Sequence, residues 1–278
     1  MGYAGYKVLR LDDDVLSQLY TYGNLGAGAP EFLVNEYLIA TDKDDNPVDY
    51  FRYTTEGIFV RVPFLTMSSN RGEKLKPRNQ EQRIAFDLMK NKDIPVKLLT
   101  GTWGAGKTIA LIGQAMEDLE AGVFEKITWV RNNVQVKDTD ALGALPGSSE
   151  SKMLPYVMPF ADHCGGTEAV EQMIEMGLLE VIPLGFLRGR SIRNSVILCS
   201  EAENLTKQHI QLLLGRLDTG SQLWFDADVR QRDREAFVKS AGIETMVERL
   251  KGNPLFGYVH LQKSERSPAS RLADLLND

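Results

Sequence analysis

The segment Gly101-Thr-Trp-Gly-Ala-Gly-Lys-Thr108 fits the pattern G-x-x-x-x-G-K-[ST] at every fixed position. Gly101 and Gly106 let the backbone curl, so that successive N–H groups face one bound phosphate. Lys107 adds a point charge for the terminal phosphates, and the Thr108 hydroxyl suits Mg²⁺. A helix starting there adds its positive end to the same anion site. The loop as a whole, Gly101, Thr102, Trp103, Gly104, Ala105, Gly106, Lys107 and Thr108, is the expected phosphate cradle. Its flanks agree. Pro95 to Thr100 reads as a short buried strand. Ile109, Ile112, Met116 and Leu119 recur at helical spacing until Gly122 ends the run.

Composition narrows the setting. The chain has 278 residues, 43% hydrophobic and 25% charged, enough for one large domain or a medium and a small one. No apolar run is long enough to cross a bilayer, and the first residues lack a secretory core. Cys164 and Cys199 are isolated from each other and from the three histidines, which argues against a disulfide framework or structural zinc. A reducing cytoplasm is expected. Residues 1–77 hold 8 basic and 11 acidic side chains, a balance of −3, half of the −6 for the whole chain. Neither part is basic, so any binding of nucleic acid needs a local groove or a pore made by assembly.

Residues 1–75 read differently from the rest. Tyr6 to Leu9, Glu36 to Thr41, Tyr50 to Thr54 and Gly57 to Val62 are expected strands, with a turn over 42–47. Asp12 to Tyr20 is an expected helix with an Asp cap. The expected form is a small β-rich module, an OB-like barrel of five strands. Residues 68–74 read as a linker. From about Leu75, helices alternate with short apolar strands, which implies an α/β fold with a parallel sheet covered on both faces.

Further polar groups stand at strand ends. Asn194 to Asn204 is a buried strand with a polar exit, where Glu201 is expected to project toward the phosphates and handle the attacking water. Ser221 to Phe225 is another strand, followed by Asp226, Asp228, Gln231 and Asp233. Asp228 and Gln231 suit the γ-phosphate or its water, although from that segment alone a solvated charged loop is the stronger reading. Arg188 and Arg190 have the planar guanidinium that fits phosphate oxygens, and Arg131 ends the strand that starts at Lys126.

Together these pieces resemble the PhoH-like ATPase family, whose core is similar to RecA and to superfamily-one helicases. The likeness runs over residues 76–278. Lys76 to Gln82 resembles the adenine-reading motif, which puts Gln82 on the base. Leu142 to Gly147, Lys152 to Tyr156 and Pro159 resemble a segment particular to the family, Arg188 to Arg190 its RGR motif, and Glu201 to Thr206 its second acidic motif. Asp228, Gln231 and Asp233 resemble its GD-x-x-Q-x-D, and Glu265-Arg-Ser267 its last arginine motif. The resemblance implies a RecA-like P-loop core that binds Mg²⁺ and ATP, with Lys107, Glu201, Gln231 and Arg266 catalytic and Thr108, Ser200 and Asp228 at the metal. It also implies a ring, often hexameric, in which Arg266 or Arg216 serves a neighbouring subunit, and action on RNA or single-stranded DNA. No membrane partner is implied. Residues 1–75 resemble the β domain of longer members, which also carry a PIN nuclease; a shortened, phage-borne member fits this chain.

Three positions depart from the family. Ser200 stands where it has Asp, Glu203 where it has Gln, and Ala227 where it has Gly. A serine brings no charge to the Mg²⁺ water shell, so weaker metal binding and slower hydrolysis are expected unless Asp226 or Asp228 compensates. A binding module that orders a ring or recruits a partner with little turnover is therefore a second reading. A small-molecule kinase is a third, disfavoured because no lid or acceptor motif stands out.

Overall fold

The computed structural model describes residues 2–70, 72, 74–131, 157–228 and 242–265. Its larger part is a six-stranded, wholly parallel sheet. The strands are β5 (Val96–Gly101), β6 (Lys126–Arg131), β7 (Leu179–Pro183), β8 (Ser195–Cys199), β9 (Gln222–Ala227) and β10 (Phe256–Leu261), in the order β10-β5-β9-β8-β6-β7. Strands β5, β8 and β9 are buried along their whole length. The apolar stretches Leu98-Leu99, Val196–Cys199 and Leu223–Phe225 within them are what a parallel sheet covered on both faces requires.

One face carries α2 (Gln80–Lys90), α3 (Lys107–Glu120), α4 (Met158–Cys164) and α5 (Thr167–Glu175), packed on Leu99, Trp129, Leu198 and Trp224. The other carries α6 (Lys207–Leu214) and α7 (Gly242–Leu250), on Leu98, Ile197, Leu223 and Phe225. Both cysteines are buried. Among the described residues no helix is long and apolar enough to cross a membrane.

The N-terminal part holds β1 (Tyr6–Arg10), α1 (Asp13–Tyr22), β2 (Tyr37–Thr41), β3 (Pro47–Tyr53) and β4 (Phe59–Arg61). Asp12 caps α1 by accepting from the Val15 amide, and Gly23 ends it in the left-handed conformation. The expected β-rich part before an α/β core is therefore present, but not as a five-stranded barrel. Its described strands form an open four-stranded sheet, β1-β2-β3-β4, with β1 parallel to β2 and the other pairs antiparallel.

The chain before β1 instead lies along β10. The His260 amide donates to the Ala4 carbonyl at 2.9 Å. A side chain at Gly5 would sit 1.9 Å from the Tyr258 carbonyl oxygen, so only glycine permits this approach. Tyr37, Ile39, Tyr50 and Val62 of the small sheet share one core with α2 and α3. The Asn35 side-chain amide, from a left-handed backbone position, donates to the Pro254 and Phe256 carbonyls at 3.0 Å each. The expected linker is pinned as well. Met67 and Leu75 form a β-bridge, and the Ser68 and Asn70 amides donate to Glu117 and Glu120 of α3.

Candidate phosphate-binding site

The glycine loop joins β5 to α3 at the exit end of the sheet. Gly106 is the helix N-cap, left-handed at φ 90°, and no side chain caps the first turn of α3. Those amides are therefore left for an anion, and the helix dipole favours one. Gly101 has φ 150°, and a Cβ there would lie 2.1 Å from the Leu261 carbonyl oxygen. The loop is thus seated against the end of β10. The Thr102 amide donates to Leu261 O at 3.3 Å, and the Glu265 amide to Gly104 O at 3.0 Å.

Lys107 is buried, and its Nζ donates to the Gly101 and Thr102 carbonyls at 2.8 Å each. A lysine folded back onto its own loop holds the positive charge where phosphates would arrive. Gln82 is buried with both ends of its amide engaged: Nε2 donates to Ala105 O at 3.0 Å, and Oε1 accepts from the Arg78 amide at 2.8 Å. In this state it braces the loop from α2, and reading a base requires it to release one of those bonds. Trp103 is about half exposed, whereas Trp129 and Trp224 are fully buried.

Strand β9 lies between β5 and β8, which brings two strand exits beside the loop. Leu99 of β5 pairs with Asp226 of β9, and Cys199 of β8 pairs with Phe225, so Ser200 and Asp226 follow next to each other. Asp226 shares the α3 face of the sheet with Trp224. It is 3% exposed. Its Oδ1 accepts from the Glu201 amide at 3.0 Å, while Oδ2 is buried with no hydrogen-bond partner among the described residues. Burial pushes its carboxyl up, and the Thr108 hydroxyl, the Lys107 ammonium and the Glu201 amide beside it act the other way. The hydroxyl is near enough to favour the carboxylate but does not satisfy Oδ2.

Glu201 adopts a left-handed backbone, φ 56°, unusual for a residue with a side chain. Its carboxylate pairs with Arg131 at the exit of β6, Nη1 to Oε2, at 2.5 Å. Glu203 is buried and accepts from the Asp228 amide at 2.9 Å. Burial, followed by the charges of Asp226 and Glu201, holds its carboxyl at about 8 against two backbone hydrogen bonds.

Not every expected residue comes to the loop. Arg190 pairs with Glu180 at 2.8 Å, beside Lys126 at the start of β6, the opposite end of the sheet. Arg216 donates to the Arg190 carbonyl at 3.2 Å and shares that end. Gln231, Asp233, Arg266, Ser267, residues 142–147 and residues 152–156 lie outside the described residues. The sequence offers Asp226 only as a compensating carboxylate; the fold brings it beside Thr108 and Lys107. The available signal was an apolar run, Leu223 to Phe225, breaking to an acid at the sheet's exit end.

A cavity of about 590 Å³ opens along α3, one residue past Thr108. Leu75, Ile109, Ile112, Gly113, Met116 and Asp162 are among the residues that line it, and none of 101–108 does.

Residues 74–273 match the family profile described as PhoH-like protein. "Protein PhoH2" of Mycolicibacterium smegmatis is 36% identical over 202 residues, covering 71% of this chain and 46% of that protein. "Protein PhoH2" of Thermobispora bispora is 31% identical over 287 residues, covering 100% and 63%, so that alignment includes the N-terminal sheet. The chain thus spans from about half to under two thirds of these relatives' length. The crystal structure of Pif1 helicase from Candida albicans aligns with 73% of this chain and 44% of its own, at 14% identity and a TM-score of 0.35.

Proposed function

This chain belongs to the PhoH-like protein family, and from that membership and the loop geometry we propose that it binds and hydrolyses Mg-ATP. The observation that carries this is the uncapped N-terminus of α3 behind a loop whose lysine is already folded inward. In this reading the loop amides and Lys107 hold the phosphates. Glu201 accepts a proton from the attacking water once it leaves Arg131, and Gln231 senses the γ-phosphate.

No three acidic, histidine or cysteine side chains cluster as a metal site among the described residues. Mg²⁺ does not need one, because it is commonly held by one or two carboxylates together with phosphate and water. The orphaned Oδ2 of Asp226 beside the Thr108 hydroxyl fits such an ion. Thr108 and the carboxylates at the end of β9 would hold it. Its charge would offset that of the phosphates as they separate.

Residues 1–75 and 76–278 are read as a small β-rich part and the ATPase part. The proposed assembly is a homo-oligomeric ring, a hexamer by family analogy, acting in the cytoplasm on RNA or single-stranded DNA. Arg190 and Arg216 face away from their own loop. A phosphate contact from either would therefore go to a neighbouring copy, the role also read for Arg266.

Multiple-turnover phosphate release with and without RNA tests the reading, with Lys107→Ala as control. Turnover that RNA stimulates and Lys107→Ala abolishes supports it. Saturable ATP binding without turnover supports instead a nucleotide-dependent module, the reading that Ser200 and the Arg131–Glu201 pair favour. No saturable uptake of any nucleoside triphosphate rejects both.

A further inference from the structure

We propose that Asp226, at the exit of β9, is the carboxylate of this chain's Mg²⁺ site, and that it supplies from one strand over the charge that Ser200 lacks. The inference rests on the nucleotide-binding reading above and assigns its metal centre. Three observations carry it.

First, position. Ser200 and Asp226 follow the paired residues Cys199 and Phe225 on adjacent parallel strands, so they occupy neighbouring places on one sheet face. Asp226 also lies in register with Leu99 on the strand that feeds the glycine loop. A carboxylate moved from β8 to β9 thus stays at the sheet's exit and comes closer to that loop.

Second, chemistry. Asp226 is affected by both the Thr108 hydroxyl and the Lys107 ammonium. A threonine hydroxyl with a carboxylate beside it is the oxygen-donor pair that Mg²⁺ takes in a phosphate-loop site. Asp228 is placed less well. It stands past the last residue of β9, with its amide committed to Glu203.

Third, an unmet need. A buried carboxylate oxygen without a partner is costly. Among the described residues Oδ2 of Asp226 is such an atom, while Oδ1 is occupied by the Glu201 amide. A hydrated cation, or water held by one, satisfies it. The amide of the water-handling residue and the metal would then share one carboxylate, which fixes Glu201 relative to the ion.

The probe is Mn²⁺ in place of Mg²⁺, titrated into the ADP-bound protein and followed by electron paramagnetic resonance, which needs no turnover. Asp226→Asn is expected to weaken Mn²⁺ by about 10–100-fold, as loss of a group that supports a metal does. ADP affinity without metal should stay within about two-fold. Combining Ser200→Asp with Asp226→Ser should restore most of the Mn²⁺ affinity. Asp226→Asn removes a buried, half-satisfied charge, so it should melt no lower than the parent, which separates metal loss from misfolding. Unchanged Mn²⁺ affinity in Asp226→Asn overturns the assignment, as does a swapped protein that folds, binds ADP and stays as weak as Asp226→Asn. A parent that binds no nucleotide removes the underlying reading as well.

Discussion

Arg131 Nη1 and Glu201 Oε2 stand 2.5 Å apart, so the carboxylate proposed to activate water is held in an ion pair. While that pair holds, Oε2 is engaged by the guanidinium and a water must displace it to reach that oxygen. Glu201→Gln is expected to lower phosphate release by about 10²-fold or more, the usual scale of a lost general base, with ATP affinity little changed. Arg131→Met should raise the basal rate by freeing Glu201. Steady-state phosphate release checks both; a rate in Arg131→Met as low as in Glu201→Gln would instead make the arginine part of the reacting assembly.

Gly101 admits no side chain, because a Cβ would be 2.1 Å from the backbone oxygen of Leu261. Gly101→Ala must push the loop off the end of β10. ATP affinity is expected to fall at least about ten-fold, or 1.4 kcal/mol, with the melting temperature lowered too. Gly122→Ala makes a suitable control, since its Cβ would meet nothing within 4 Å at a left-handed position outside the loop. It should lower stability without touching affinity. Binding titrations and thermal melts on both variants decide the matter.

Glu81 joins three parts of the chain. Its Oε1 accepts from the Tyr6 hydroxyl at 3.0 Å, and its Oε2 from the Gln262 and Lys263 amides at 2.7 and 3.0 Å. Those amides belong to the segment whose Glu265 amide holds Gly104. Glu81→Gln weakens charge-assisted bonds to that segment and should loosen the loop. Trp103 reports it, because the other two tryptophans are fully buried. Acrylamide quenching without nucleotide should rise in Glu81→Gln and, by less, in Tyr6→Phe. Quenching equal to the parent in both would show that the loop keeps its seat without this carboxylate.

Glu203 titrates at about 8 in the folded chain, against an ordinary 4.5. The fold keeps a proton that the unfolded chain gives up between those values. The associated stability is full below about pH 4.5, declines as pH rises, and is gone above about pH 8. Glu203→Gln holds the same shape without the titration. It should melt with the parent at pH 4.5 and higher by roughly 3–6 °C at pH 8.5. Asp226 titrates in both proteins, so the difference between them isolates Glu203. A gap between the two melting curves that does not widen with pH would exclude this account.

Local order was legible where one short segment determines it. The β5–loop–α3 unit follows from Gly101, Gly106 and Lys107 between two apolar runs, and the α1 cap follows from Asp12. What depends on distant partners was not. Residues 2–5 have no strand pattern; their place along β10 comes from the fit of Gly5 over Tyr258. Glu81 reads as a surface acid on α2 until Tyr6, Gln262 and Lys263 converge on it. Asp226 sits in a run of charges that suggests solvent, and only the strand order puts it beside Thr108. Arg190 shows the reverse case, a motif arginine whose chemistry suits phosphate but whose strand entry lies at the far end of the sheet.

The grip of Asn35 on the Pro254 and Phe256 carbonyls, with the strand-like run of Ala4 beside His260, makes the N-terminal part a wall of the fold and not an ornament on it. A fragment beginning at residue 76 would bare the margin of β10 and uncover Ile84, Leu88 and Met89, which share a core with the small sheet. Such a fragment is expected to clump during expression. Replacing the small sheet with a foreign counterpart would meet the same obstacle.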